Sequence, residues 1–270
     1  MSCEDPFNAS IFERFDLTAA LAILRVRPDS GCVPPFQPGQ FATLGLPAPP
    51  PRADSPAALR RRNRLRLTRR AYSIASCSRQ RDYFEFYAAR IEGGVLTPQL
   101  WQLPVGGRLF MDERVRGEFT LDALPNDQNL VMIATGTGVA PFISMIRTFT
   151  GHGRWRRCVL IHGVRRAADL GYHRELLDIQ KRTRSFRYLP TVTREPVESH
   201  WRGLRGRVQA LVDSESFSSL AGLPLDANGT HALLCGNPEM IVEVTQLLQS
   251  KGFTLSQEGR PGNLHVERYW

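Results

Sequence analysis

Short runs of alternating apolar and polar residues occupy the first half of the chain, and this pattern is typical of half-buried β-strands. It predicts strands at 18–27, 41–46, 71–76, 83–90 and 107–112, with a short one at 118–121. Residues 1–17 are expected to form a loose lead-in that includes at most a short helix. Because turn residues separate closely spaced strands, the first 123 residues are predicted to form an all-β antiparallel barrel.

After Pro125 the pattern changes to continuous apolar runs that alternate with apolar residues at helical spacing. The runs predict buried strands at 130–134, 158–163, 186–193 and 231–235. The predicted helices are one ending at 149, one at 167–182, a short one opened by 206–208 and one at 238–248. This alternation is typical of an α/β doubly wound parallel sheet. We therefore expect two domains, 1–123 and 124–270.

Composition excludes several classes of protein. An apolar content of 42% supports packed cores, and no apolar run approaches the ~20 residues of a membrane span. The acidic N-terminus lacks the apolar stretch of a signal peptide. The cysteines lack the spacing of metal or iron–sulfur ligands, so we expect reduced thiols, no metal site and a cytoplasmic protein. They are Cys3, Cys32, Cys77, Cys158 and Cys235.

The net charge is +9, and only Lys181 and Lys251 among the 35 lysines and arginines are lysines. This balance permits binding of a phosphorylated ligand, an acidic protein or nucleic acid. Residues 47–69 are rich in proline and alanine and then in arginine. We interpret this excursion as an exposed loop, and a contact for an acidic partner is the alternative.

The segment 70–73, Arg-Ala-Tyr-Ser, combines side chains that suit a flavin dinucleotide. Arg70 can hold a pyrophosphate through two hydrogen bonds, and the ring of Tyr72 can pack on a flat heterocycle. Ser73 can face a ring nitrogen with its hydroxyl. Residues 87–90 and the turn 93–98 can hold the other side of the pyrophosphate. The alternatives are an ordinary strand for the first segment and a hairpin with a helix cap for the second.

The segment 134–141, Ala-Thr-Gly-Thr-Gly-Val-Ala-Pro, comes directly after a predicted buried strand and before a predicted helix. Its glycines allow a pyrophosphate to approach the backbone, and the N-terminus of a helix favours negative charge. The third glycine of the G-x-G-x-x-G fingerprint is missing, so a plain tight turn is the alternative.

Arginines follow two successive strands of the predicted sheet, at positions 165 and 194, and Arg207 lies just beyond the second of them. A chain that selects NAD would place an acidic residue near the end of the second strand. Because the carboxyl ends of parallel strands meet at one edge, Arg165, Arg194 and Arg207 are expected to converge there and to favour the extra phosphate of NADP(H). The irregular segment 195–205 leaves Arg202 and Arg205 as alternatives to Arg207.

The segment 235–239, Cys-Gly-Asn-Pro-Glu, lies at a predicted strand-to-helix junction. Its glycine leaves room for a flat ring beside Cys235, although a buried structural cysteine is the commoner case. At the C-terminus, Tyr269 and Trp270 would expose apolar surface unless they dock. Docked, Trp270 can stack on an adenine and Glu267 can place a carboxylate near the flavin ring; a tail that only stabilises the barrel is the alternative.

Together these motifs resemble the ferredoxin/flavodoxin–NADP reductase family in its bacterial branch. The matching segments are 70–73, 134–138, 162–165, 193–195, 206–208, 235–238 and 269–270, in the family's order over residues 15–270. The resemblance implies an FAD-binding antiparallel barrel and an NADP(H)-binding parallel domain whose C-terminal aromatic tail returns to the flavin. The excursion at 47–69 is longer than the bacterial pattern, so the surroundings of the adenine stay open.

The resemblance also implies which residues contact each cofactor. For FAD they are Arg70, Ala71, Tyr72, Ser73, Tyr87, Ala88, Ala89, Arg90, Val95, Leu96, Thr97, Thr137, Tyr269 and Trp270. For NADP(H) they are Val164, Arg165, Thr193, Arg194, Arg207, Asn237, Pro238 and Glu239. We expect Ser73, Cys235 and Glu267 to be the catalytic set, which positions the reacting rings and needs no general base.

The implied activity is hydride transfer between NADP(H) and FAD, followed by single-electron exchange with ferredoxin or flavodoxin. The carrier is expected to be acidic, so its affinity should fall with salt. A reductase component that delivers electrons to an oxygenase is the alternative. Nucleic-acid binding does not explain the ordered phosphate motifs. We expect no membrane contact, and the family implies a monomer.

Overall fold

The computed structural model of the protein describes residues 6–49 and 66–268. The chain divides into two compact units, Met1–Gly117 and Glu118–Trp270. Each unit has its own hydrophobic core. None of the helices in these two described ranges is long and apolar enough to cross a membrane.

In the described part of the first unit, six strands and one helix form an antiparallel sheet with a short helical connection. They are β1 (Ala9–Thr18), β2 (Leu21–Pro28), β3 (Phe41–Pro47), β4 (Leu67–Ser73), β5 (Phe84–Ala89), α1 (Thr97–Gln102) and β6 (Arg108–Met111). The strand order is β4-β3-β6-β1-β2-β5. The two outer strands approach each other through a bridge between Ile74 and Phe86 and a 2.8 Å hydrogen bond from the Ala75 amide to the Glu85 carbonyl. The predicted antiparallel barrel is therefore confirmed.

Alternation along these strands builds the core of the first unit. In β2, Ala22, Leu24 and Val26 are buried, while the residues between them are at least partly exposed. Phe84 and Phe86 fill the same core from β5. Because a fully buried leucine or phenylalanine contributes roughly 1.5–3 kcal/mol, this inward face holds the sheet together.

Two predictions for this half of the chain are wrong. The expected loose lead-in contains β1, whose alternation is hidden because register shifts at Ile11/Glu13 and Asp16/Thr18 break the two-residue period. The expected strand at 118–121 is not present, although Phe119 and Leu121 are buried. Phe119 packs against Phe142, with ring centroids 5.8 Å apart, so its burial comes from helix packing and not from strand pairing.

The second unit alternates strands and helices over its described residues. The elements are β7 (Gln128–Thr135), α2 (Ala140–Phe149), β8 (Trp155–Val164), α3 (His173–Arg182), β9 (Phe186–Val192), β10 (Leu204–Arg205), α4 (Val208–Asp213), α5 (Phe217–Ala221), β11 (Thr230–Cys235), α6 (Pro238–Ser250) and β12 (Leu264–Glu267). Short 3₁₀ turns span Gly136–Val139 and Ala167–Asp169. All pairings are parallel, in the order β10-β9-β8-β7-β11-β12. The predicted doubly wound parallel sheet is confirmed.

The strand order places a topological switch point between β7 and β11. From β7 the chain moves to β8 on one side, and it later returns to β11 on the other side. Ligands of open α/β sheets bind outside the carboxyl ends of the strands at such a point. A nucleotide site is therefore expected at the segments that follow Thr135 and Cys235.

Helix α3 begins later than predicted, at His173 instead of residue 167. Its N-terminal flank is a 3₁₀ turn, and Tyr172 adopts a left-handed backbone conformation with φ 63° that interrupts the helix. The strands β10 and β12 were not predicted at all. They contain only two and four residues, which is too short for periodicity to show.

Candidate functional site

The segment 70–73 ends β4, an outer strand that pairs on one side with β3. Arg70 is exposed, and its guanidinium donates a 2.8 Å hydrogen bond to the Arg69 carbonyl. Tyr72 is half-buried and lies against the barrel core, with its ring centroid 6.1 Å from that of Phe86. Ser73 is buried. The segment thus presents one exposed cation, one aromatic ring packed on the core and one buried hydroxyl.

The phenol of Tyr72 stays protonated at neutral pH. Burial raises the pKa of Tyr72 to about 12, and the nearby charge of Arg70 opposes this shift only in part. The side chain is therefore a neutral ring with a hydroxyl that can donate a hydrogen bond, as a flavin contact requires.

The other predicted flavin segment of the first unit is largely buried. Tyr87 and Ala88 are buried, Ala89 is half-buried and Arg90 is exposed. In the following loop, Val95 is exposed and Leu96 is buried. Residues 87–90 precede the loop from Ile91 to Thr97, Val95 and Leu96 lie within it, and the loop leads into α1.

Thr97 has a local structural role in the loop before α1. Its hydroxyl accepts a 3.0 Å hydrogen bond from the Ile91 amide and donates to the Ile91 carbonyl at 3.4 Å. The hydroxyl thus closes the 91–97 loop before Pro98 enters the first turn of α1. A contact between Thr97 and a pyrophosphate stays a prediction.

In the second unit, the turn after β7 packs tightly on the turn after β11. A Cβ atom on Gly138 would lie 2.5 Å from the Cys235 carbonyl oxygen and 2.6 Å from the Gly236 Cα. Both contacts are with backbone, so no larger residue fits at position 138. The Thr135 hydroxyl accepts a 2.8 Å hydrogen bond from the Asn237 amide across the same junction. The predicted glycine turn and the predicted 235–239 junction therefore form one site.

His162 is part of this site, and the sequence did not single out a role for it. It is fully buried in β8, and its Nε2 lies 2.9 Å from the Gly136 carbonyl oxygen. Because a carbonyl only accepts, Nε2 carries the proton. Burial, assisted by the nearby His173, lowers the pKa of His162 to about 4, so the ring is neutral at pH 7. The signal in the sequence was a histidine within the otherwise apolar run from Cys158 to Val164.

Backbone hydrogen bonds place the three predicted arginines at one edge of the parallel sheet. The Arg194 amide donates a 2.7 Å hydrogen bond to the Arg165 carbonyl, which extends the pairing of β8 with β9. On the other side, the Gly206 amide donates to the Val192 carbonyl at 2.9 Å, which brings Arg207 to the same edge. All three arginines are exposed. Within the described residues, none of their side chains has a hydrogen-bond or ion-pair partner.

The two alternative arginines are engaged elsewhere. The Arg205 guanidinium donates to the carbonyls of Glu195 at 2.6 Å and Pro196 at 3.0 Å. Arg202 donates to the Ser199 carbonyl at 2.9 Å. Both side chains therefore stabilise the irregular 195–205 loop, which favours Arg207 as the third available cation.

The predicted catalytic residues Cys235 and Glu267 are in contact. They pair in register between β11 and β12, and the Cys235 thiol donates to a Glu267 carboxylate oxygen at 3.6 Å. The third member, Ser73, belongs to the first unit. Tyr269, Trp270 and most of the 47–69 excursion lie outside the described residues.

Asn237 begins α6 and acts as its N-cap. Its side-chain oxygen accepts hydrogen bonds from the amides of Glu239 at 2.8 Å and Met240 at 3.2 Å, and Pro238 occupies the first turn. The Asn237 oxygen is therefore engaged, while Glu239 is exposed. Val164 is buried at the end of β8, and the exposed Thr193 donates from its hydroxyl to the Val164 carbonyl at 3.3 Å.

The chain is similar in sequence to a known family model and to several known proteins. A family model described as an oxidoreductase NAD-binding domain matches residues 132–246. The chain is 33% identical over 243 residues to ferredoxin–NADP reductase A of Sorangium cellulosum, covering 86% of this chain and 80% of that protein. It is also 33% identical over 238 residues to flavodoxin/ferredoxin–NADP reductase of Escherichia coli, covering 87% and 88%.

A solved structure shares the fold over the whole chain. The crystal structure of a ferredoxin NADP+ reductase from Neisseria gonorrhoeae with bound FAD and NADP matches with a TM-score of 0.82 and 25% identity. The match covers 99% of this chain and 100% of that one.

Proposed function

We infer that this chain, which belongs to the ferredoxin/flavodoxin–NADP reductase family, transfers hydride between NADP(H) and FAD and exchanges single electrons with ferredoxin or flavodoxin. It is an oxidoreductase, and its cofactors are FAD and NADP(H). FAD accepts two electrons as a hydride and releases them one at a time, which links the nicotinamide to a one-electron carrier. What this chain contributes is binding, orientation and charge.

The observation that carries the proposal is the set of unpaired arginines at the edge of the parallel sheet. Arg165, Arg194 and Arg207 are exposed and have no side-chain partner among the described residues. Guanidinium groups bind phosphate through two hydrogen bonds, and the adenosine 2′-phosphate is what distinguishes NADP(H) from NAD(H). The donor set thus fits NADP(H), and we assign Val164, Thr193 and the 237–239 segment to the same ligand.

The first unit offers donors that fit FAD. We assign the flavin to the side of β4 and β5, with Tyr72 as the packing ring, Arg70 on the pyrophosphate and Ser73 as a hydrogen-bond partner. The neutral phenol and the exposed guanidinium support this assignment. Further contacts are assigned to Ala71, residues 87–90 and residues 95–97 of this unit. The flavin contacts of Thr137, Tyr269 and Trp270 stay predictions that follow from the family resemblance.

Cys235 and Glu267 are assigned to the nicotinamide side of the reaction. The fully buried thiol presents a small side chain at the switch point, and its hydrogen bond to Glu267 fixes its orientation. Together with Ser73, these groups position the reactants, because the chemistry of hydride transfer belongs to the cofactors.

The electron carrier is proposed to be acidic. The net charge of +9 and the exposed arginines favour association with a negatively charged protein. We also propose that the chain works as a monomer in the cytoplasm. In support, the described cysteines, Cys32, Cys77, Cys158 and Cys235, form no disulfide, which fits a reducing compartment.

The test compares NADPH with NADH as reductant of the FAD-loaded protein. Arg165→Ala and Arg194→Ala should each lower kcat/KM for NADPH by roughly 10–100-fold, the worth of a charge-assisted hydrogen bond, and leave NADH unchanged. Arg184→Ala is the matched control, because Arg184 is exposed but precedes β9 at the opposite edge of the sheet. Equal kcat/KM values of the unaltered protein for NADPH and NADH would contradict the proposed recognition of the 2′-phosphate.

A further inference from the structure

The glycine turn after β7 contains one peptide whose orientation a buried side chain controls. Gly136 has a positive φ of 55°, which a residue without a Cβ adopts freely. Its carbonyl accepts the hydrogen bond from His162 Nε2 at 2.9 Å. Glycine peptides with this freedom can rotate, so the hydrogen bond selects one of two opposite orientations of the 136–137 peptide.

The selected orientation matters for binding an anion. In a trans peptide the C=O and the next N–H point in opposite directions. Because the Gly136 carbonyl points at the imidazole inside the sheet, the Thr137 amide points away from it. A rotated peptide would replace this N–H donor with a carbonyl oxygen, which repels phosphate.

His162 is the side chain of β8 that contacts this turn. It is fully buried, and its register neighbours are Ala134 of β7 and Pro190 of β9. Pro190 has no amide hydrogen, and the imidazole Nδ1 has no hydrogen-bond partner among the described residues. The Nε2–H group is therefore the donor that β8 offers to the turn.

We propose that His162 is a positioning residue for the pyrophosphate of the dinucleotide, because its Nε2–H holds the 136–137 peptide with the Thr137 amide available to the anion. The inference rests on the proposed binding of NADP(H) at this edge. The pyrophosphate occurs in both coenzymes, so His162 affects NADP(H) and NAD(H) alike. In this it differs from Arg165, Arg194 and Arg207, which recognise the 2′-phosphate.

The test measures equilibrium binding to the FAD-loaded protein with two probes. NADP+ contains the pyrophosphate and the 2′-phosphate, whereas adenosine 2′-monophosphate contains only the latter. His162→Met removes the donor, and His162→Gln has the same side-chain length and keeps one. We expect Met to raise the Kd for NADP+ about tenfold, the cost of ordering one or two backbone residues, with no change for adenosine 2′-monophosphate. Gln should restore most of the NADP+ affinity.

Controls separate this inference from the proposed function. Leu160→Ala changes a buried residue of the same strand and should lower stability without changing either Kd. Arg165→Ala should weaken both probes. If Arg165→Ala behaves so but His162→Met binds NADP+ normally, only the role of His162 is overturned. If Arg165→Ala changes neither probe, the proposed phosphate site itself fails.

The unaltered protein supplies a second readout that does not depend on the variants. The Nε2–H proton of a buried imidazole exchanges slowly and can be followed by NMR with ¹⁵N-labelled histidine. Its signal should shift when NADP+ is added and should stay in place with adenosine 2′-monophosphate. A signal that does not shift with NADP+, or that shifts equally with both probes, would contradict the proposed role of His162.

Discussion

At the scale of single residues, the hydrogen-bond partners of a side chain decide whether it is available to a ligand or stabilises its own loop. Arg165, Arg194 and Arg207 lie exposed, with no side-chain partner in the part of the chain that the structure describes, whereas Arg202 and Arg205 donate hydrogen bonds within their own loop. All five residues are arginines, so residue type alone does not distinguish them. Their difference comes from the path of the 195–205 loop, which offers carbonyl oxygens to two arginines and none to the third.

His162 should make the stability of the fold depend on pH. Its pKa is about 4 in the folded chain, below the usual 6.5, so the unfolded chain binds the extra proton first. Stability should be full above pH 6.5 and fall as pH drops towards 4, by about 2 kcal/mol at pH 5 and up to ~3 kcal/mol at pH 4. Urea unfolding at pH 7, 6 and 5 measures this.

His162→Gln is the control for the acid effect, because it cannot take up a proton. The variant should lose less stability than the unaltered protein between pH 7 and pH 5. His265, whose pKa burial and His231 lower to about 4, contributes in the same direction and remains in both proteins. Parallel curves for the two proteins would show that His162 does not carry the effect.

At the scale of elements, the shortest strands determine what meets at the site. β12 has four residues, yet it pairs with β11 and places Glu267 beside Cys235. It is held by the buried Leu264 and by a hydrogen bond of 3.1 Å between His231 and His265. A carboxylate near the C-terminus is thus part of the sheet and not of a frayed tail.

Leu264→Ala tests the contribution of β12 to the fold. Because Leu264 is fully buried in the second core, the change should lower the free energy of unfolding by about 2–5 kcal/mol. Val197→Ala, at a residue that is 81% exposed, should change it by less than about 0.5 kcal/mol. Denaturant unfolding measures both, and equal, small effects would mean that β12 contributes little to the fold.

At the scale of the whole molecule, the net charge supports the proposal that the electron carrier is acidic. The excess of 35 lysines and arginines over 26 acidic residues gives the net charge of +9. Such a field speeds encounter with a negative partner, and salt screens it over about 10 Å at 0.1 M ionic strength. The charge thus acts on association and not on the hydride step.

Reduction of an acidic carrier should therefore depend on salt. Raising the ionic strength from about 0.05 M to 0.5 M should increase the KM for ferredoxin or flavodoxin several-fold with little change in kcat. Reduction of menadione, a small uncharged acceptor, by NADPH in the same buffers corrects for any salt effect on coenzyme binding. A carrier reaction with no salt dependence beyond that of menadione would contradict the proposed acidic docking.

Local sequence was sufficient for the features that depend on neighbours along the chain. Alternation predicted the barrel strands, and apolar runs followed by glycine or arginine predicted β7, β8, β9 and β11 together with the polar groups at their ends. Convergence of Arg165 and Arg194 followed from the parallel topology alone, because carboxyl ends of parallel strands share an edge. The strand β1 was not predicted, because its register shifts break the two-residue period of apolar positions.

Tertiary structure decided the features that depend on partners distant in the sequence. The contact of Cys235 with Glu267 needs the parallel pairing of β12, and the role of His162 needs the Gly136 carbonyl of a neighbouring strand end. The engagement of Arg205 likewise depends on where a loop folds back. Residue type states which hydrogen bonds a side chain can make, whereas only the packed chain determines which of them it makes.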